Sequence, residues 1–177
     1  MKRTSKITIS AMMAALATAT MLLSFFPYLT YAIPAVAGLF IMVVVIEVDL
    51  KWAMLSYLSS AIISLLILPE PESKFLYICF LGYYPVLKAV IERIRKHSFE
   101  WILKVISFNV ALVIVYFVFS KAVNFSLDEL GAFGKYGAVA LWLMGNAVFV
   151  LYDIAVSRMA MMYMTVLHPK IKRIFKF

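Results

Sequence analysis

The charges of this chain are spaced so that six apolar stretches, each close to the length of a membrane crossing, are divided by short polar or proline-bearing breaks. About 20 predominantly apolar residues carry a helix across the hydrocarbon of a bilayer. The stretches cover residues 7–26, 31–48, 52–68, 74–91, 101–122 and 138–167. With 65% apolar residues, 15% charged residues and a mean hydropathy of +0.97, the chain departs from soluble domains, which average about 45–50% apolar and about 25% charged. A soluble core does not account for so many long blocks in 177 residues. The first stretch is too long for the apolar region of a cleaved signal and more spans follow it, so it is expected to stay as the first helix.

The breaks are sharp. Pro27-Tyr28 ends the first stretch, and Pro34 falls in the first turn of the second, where proline is tolerated. Glu47, Asp49 and Lys51 mark a short polar crossing, and Pro69 and Pro71 forbid a continuous helix through 69–73. The basic segment 92–97 and a looser loop, 123–137, with Asp128, Glu129 and three glycines, set off the fifth stretch. The sixth, ended by Pro169 and a basic tail, is roughly 30 residues or about 45 Å as a helix, enough to tilt or to extend beyond the core. The expected fold is an all-α membrane protein: one compact bundle of six transmembrane helices over 1–177, without repeats or a soluble domain.

Orientation follows from Lys and Arg, which resist translocation and gather on the cytoplasmic side. With the N-terminus inside, the inner segments hold Lys2, Arg3, Lys6, Lys51, Arg93, Arg95, Lys96, Lys104, Lys170, Lys172, Arg173 and Lys176. The outer segments hold Lys74, Lys121 and Lys135, and Lys88 and Arg158 fall within helices near their inner ends. Twelve against three puts both the N- and C-termini in the cytoplasm. The same bias explains the net charge of +8, so no nucleic acid is expected as a partner. Cys79 is the single cysteine and forms no internal disulfide, and with only His97 and His168 besides, no metal site and no cofactor are expected.

Three groups of residues are candidates for function. On the first helix, Ala11, Ala15 and Ala19 form one stripe of small residues, with Ser10, Ala14 and Thr18 beside it. Small side chains let two helices meet closely in lipid, either within the bundle or with a partner. The second group is polar residues inside spans, which are costly there and mark function by default. Lys88 and Asp153 lie towards the inner side, with Asn109 at comparable depth, and Asn146 lies in the outer half. Lys88 either bridges to Asp153 as a structural ion pair that fixes helix register or pairs with Glu92 one turn on. The third group is aromatic. Tyr31, Tyr77, Tyr83, Tyr84 and Trp142 fall on or near the outer half, as an interfacial belt or as the wall of a ligand pocket. Pro85 frees the carbonyl of Leu81 and invites a kink at Gly82, and a broken helix can line a membrane cavity.

Residues 6–17, Lys-Ile-Thr-Ile-Ser-Ala-Met-Met-Ala-Ala-Leu-Ala, resemble the first helix of the substrate-binding S components of energy-coupling factor (ECF) transporters. Ala11 and Ala15 match the small-residue pair by which that family docks on its coupling subunit. The resemblance is sequence-specific at this helix and architectural elsewhere. It implies capture of a small water-soluble nutrient, a vitamin or its precursor, in an outward-facing pocket of a multi-pass protein of the cell membrane. It further implies a transmembrane coupling subunit and two ABC ATPases as partners, with the S component toppling in the membrane lipid during transport. Asn146, Tyr84, Tyr83, Tyr77, Trp142 and Tyr31 are the candidate substrate contacts, for a pocket built by the outer halves of helices four to six and capped by the loops 27–30, 69–73 and 123–137. No hydrolase elbow, zinc-protease motif or nucleotide loop occurs, so the chain is not expected to be an enzyme. Two alternatives are a small intramembrane enzyme using Asp153 and Lys88, and a membrane assembly or regulatory protein whose alanine stripe packs on a partner.

The charge count makes a direct prediction about topology. In a Cys79→Ser background, Ser73→Cys in the 69–73 loop is expected to react with an impermeant maleimide in intact cells, whereas Ser98→Cys is not. The opposite labelling pattern reverses the orientation.

Overall fold

The computed structural model describes residues 3–26, 29–94, 96–123 and 137–169, and among them it contains helices and no strand. Each apolar block becomes a helix. The first is α1, Arg3–Leu22, which tightens into a 3-10 turn at Leu23–Phe25, and α2 follows at Ala32–Glu47. After α3, Leu50–Ile67, the fourth block splits into α4, Pro71–Leu76, a π-helical turn Tyr77–Leu81, and α5, Tyr84–Ile91. The long helices α6, His97–Val123, and α7, Gly137–Met162, complete the bundle, and a second π-helical turn, Tyr163–Leu167, extends α7. Five of these units are long and apolar enough to cross a membrane; α2, at 16 residues, is the shorter sixth helix. The residues expected in loop 123–137 lie outside the described residues from 124 to 136, as does the basic tail from 170.

Local chemistry sets the boundaries. Asp49 has an extended backbone and caps α3: its Oδ1 accepts from the backbone N–H groups of Lys51 at 3.1 Å and Trp52 at 3.2 Å. Its other oxygen accepts from Lys6 Nζ at 2.9 Å, which ties the start of α1 to the α2–α3 turn. That hydrogen bond holds the Asp49 carboxyl below the usual carboxylate range. Pro71 opens α4 at a position where its missing N–H costs nothing. Glu47 Oε1 accepts from Tyr163 Oη at 2.9 Å and lies 2.8 Å from His168 Nδ1, joining the end of α2 to the end of α7.

The expected break at Gly82 is present, and its stranded carbonyls are used. Pro85 has no N–H to offer Leu81, whose carbonyl instead accepts from Tyr152 Oη of α7 at 3.2 Å. The Ile78 carbonyl accepts from Tyr57 Oη of α3 at 2.5 Å. Two tyrosines from neighbouring helices thus replace the missing helical donors, as lipid requires. The same crossing demands glycine: a Cβ on Gly38 of α2 would stand 2.5 Å from Leu81 O and 2.8 Å from Tyr152 Oη.

Two cores result. Ala17, Met21, Ala37, Ile41, Val44, Ala53, Tyr57 and Tyr77 knit α1, α2 and α3 to the π-helical turn. Phe80, Tyr84, Ala111 and Phe149 join that turn and α5 to α6 and α7. The buried serine at 73 is a poor position for a label, so the 69–73 loop is best probed by Glu70→Cys. Gly38→Ala should unsettle the crossing through overpacking by about 1–3 kcal/mol, read as a fall of several degrees in the melting temperature of the purified protein. An unchanged melting temperature would show that α2 and the kink can separate freely.

Candidate functional site

Tyr84, Lys88 and Glu92 recur every fourth residue along α5 and the turn after it, so they share one face. Against that face α6 sets Lys104 and α7 sets Asp153. Asp153 Oδ1 accepts from Tyr84 Oη at 2.5 Å and from Lys88 Nζ, and Lys104 Nζ lies 3.2 Å away. Glu92 Oε1 receives the same two ammonium groups, Lys88 at 2.9 Å and Lys104 at 2.8 Å. Both lysines and Asp153 are buried, while the Glu92 side chain is 43% exposed and forms the open side of the cluster. Each ammonium stands between two carboxylates and the formal charge of the four sums to zero. This alternation is what allows ions to be withdrawn from water.

The two arrangements open to Lys88 from the sequence, Asp153 or Glu92, are realised together by one Nζ. Lys104 is a correction. The charge count places it with the inner-segment cations, although it is the fourth residue of the stretch 101–122. The helix begins at His97, so Lys104 lies two turns in and is buried against Asp153 and Glu92. Its spacing of twelve residues from Glu92 and sixteen from Lys88 is the signal in the sequence that could place it near them.

One turn further along α6, Phe108 and Phe149 stack with centroids 4.6 Å apart and planes within 8°, and Phe80 sits edge-on to both. A second polar layer follows. Asn109 Nδ2 donates to Asn146 Oδ1 at 3.0 Å, and Asn109 Oδ1 accepts from Trp142 Nε1 at 2.6 Å. Asn146 Nδ2 donates to the Trp142 carbonyl at 2.9 Å. Helices α6 and α7 are thus joined by a charged layer that also takes in α5, an aromatic layer that takes in the π-helical turn, and an amide layer of their own.

The six candidate substrate contacts do not converge on one place. Asn146 and Trp142 meet through Asn109. Tyr84 is fully buried with its hydroxyl on Asp153, which makes it part of the charged layer and separates it from Asn146. Tyr77 is also fully buried and shares a 2.7 Å hydrogen bond with Ser60 of α3. Tyr83 is half-buried, its ring against Tyr57 and Phe80. Tyr31, at the start of α2, is exposed and donates to Glu72 at 2.7 Å. The helix periodicity gave depth along each span, but the direction of each hydroxyl depended on the neighbours, which the chain alone does not list.

On α1 the two small-residue stripes divide. Ser10, Ala14 and Thr18 are buried, and Ser56 Oγ of α3 donates to the Ser10 carbonyl at 3.1 Å. Ala11, Ala15 and Ala19 are exposed. Ala11 and Ala15 line a groove of about 320 Å³ between α1 and α3, with Trp52, Leu55, Ser59 and Ile63 opposite. Among the described residues, no three of His, Cys, Asp and Glu stand close enough to hold a metal ion.

Asp153→Asn leaves two buried ammonium groups with Glu92 alone, and stranding a buried charge costs about 3–5 kcal/mol. The melting temperature should fall by roughly 2–4 °C for each of those kcal/mol. Adding Lys88→Met restores neutrality through the Lys104–Glu92 pair and should recover part of the loss. Equal melting temperatures for the wild type and Asp153→Asn would show that the cluster carries no stability.

The sequence matches no protein-family model, no curated protein and no solved structure.

Proposed function

We propose that this protein is the substrate-capture component of an ECF-type importer in the cell membrane. In this reading it binds a small water-soluble nutrient, a vitamin or a precursor, from outside. A transmembrane coupling subunit and two ABC ATPases then drive uptake, with both chain termini in the cytoplasm. The observation that carries the reading is the division of α1 into two faces. One small-residue stripe is used within the bundle, and the stripe containing Ala11 and Ala15 is left open beside a groove. In lipid, helix pairing relies on close packing rather than on the hydrophobic effect, and alanines and serines let backbones approach. A groove with such a floor suits a partner helix lying along α1. The layered α5–α7 half supports the same reading from another side, since a bundle that moves as a body needs internal cross-links independent of its partner.

Ala11→Leu combined with Ala15→Leu fills the groove with side chains that point away from the core. Co-expressed with its coupling subunit and ATPases, this variant should fail to co-purify with them and should lose uptake. Its melting temperature as an isolated protein should stay at the wild-type value. Retained co-purification, or a melting temperature that falls with it, would assign the stripe to something other than docking.

A further inference from the structure

Hydroxyls on the helices of this protein have a habit. Thr8, Thr18, Thr20, Ser157 and Thr165 each donate to the carbonyl four residues earlier, at 2.8–3.1 Å. Such back-bonding is the ordinary way for a helix to satisfy a hydroxyl away from water. Ser10, Ser24, Ser64 and Ser73 depart from it: each is buried and its Oγ has no hydrogen-bond partner among the described residues, and Ser24, Ser64 and Ser73 are 0% exposed.

The three belong to one end of the bundle. Ser60 of α3 and Tyr77, just past α4, share a hydrogen bond across the two helices. One turn beyond Ser60 is Ser64, and one turn before Tyr77 is Ser73. The helices run in opposite directions, so both lie on the same side of that bond. Met21 packs in the same core as Leu68 and Tyr77, and Ser24 follows Met21 by one turn. The hydrogen bond from Tyr31 to Glu72, the neighbour of Ser73, closes the chain over this end.

A buried hydroxyl without a partner is expensive, and three at one place are a shared cost. Ser64 has the Ser60 carbonyl of α3 within reach of such back-bonding, whereas Ser73 is the third residue of α4 and has no helical carbonyl four residues back. We infer that Ser24, Ser64 and Ser73 hold internal water, with one molecule bridging Ser64 and Ser73. Water both donates and accepts, and a buried molecule is held by two to four polar partners, so it can satisfy hydroxyls that stand at the same end of neighbouring antiparallel helices. Full burial suits a resident of the folded state, and the inference does not rest on the transport reading.

Two measurements on the full chain decide it. Ser64→Ala and Ser73→Ala should each lower the melting temperature by roughly 2–4 °C, despite the better helix propensity of alanine. The double variant should fall no further than the worse single one, because the first substitution already releases the shared water. Ser59→Ala, at an exposed position of α3, supplies the propensity effect alone. A rise in melting temperature for the single variants would overturn the site, since deleting a truly orphaned hydroxyl relieves strain. Falls that simply add would overturn the bridge. A high-resolution density map of the unsubstituted protein should show an ordered water between the two Oγ atoms, and empty space there would overturn the bridge as well.

Discussion

Inside hydrocarbon a polar group has only its protein neighbours to bond with, and nowhere does this press harder than at the break between α4 and α5. Proline and the π-helical turn release two carbonyls in the middle of a span. Tyr57 and Tyr152 reach them from α3 and α7. The break therefore acts as a junction: helices on both sides of the bundle are tied to the one element that is least regular. Gly38 completes it by letting α2 lie directly against the Leu81 carbonyl. The two cores meet here, and neither would be placed without it.

The other half of the bundle solves the same problem with charge. Two lysines and two carboxylates alternate, and each ion meets two of the opposite sign. Such clusters add little net stability compared with apolar packing, because desolvation offsets most of the attraction, but they punish any arrangement that leaves one member unpaired. That penalty fixes the rotation and depth of α5, α6 and α7. Between α6 and α7, the phenylalanine layer and the Asn109–Asn146 pair repeat the constraint with shape and with hydrogen bonds.

Much of this architecture is legible in the chain. The apolar blocks set the six helices to within a few residues, and Pro85 pointed to the break at Gly82, because both effects are local. Lys88 and Asp153 stand out in a sequence as ions in apolar runs. Lys104 does not, because a lysine near the start of a span also reads as an interfacial cation, and an error of one turn in the helix boundary was enough to hide it. The partner of Tyr84 is not legible for a different reason. The depth of Tyr84 is readable, but a side chain at given depth can face any of three neighbours, and the choice of Asp153 depends on α7. The two stripes on α1 are identical in kind, and only the position of α3 separates the buried one from the exposed one.

The shortness of α2 has a consequence for the lipid around the protein. Sixteen residues of helix measure about 24 Å, less than the ~30 Å of an average hydrocarbon core. A lone helix of that length would thin the bilayer or tilt its neighbours into mismatch. Here no residue from Ala37 to Glu47 is exposed, because α1, α3, α5 and α7 surround it. Lipid meets the longer helices instead, so the membrane thickness that the protein prefers is set by its periphery, and its central helix is insulated from changes in that thickness.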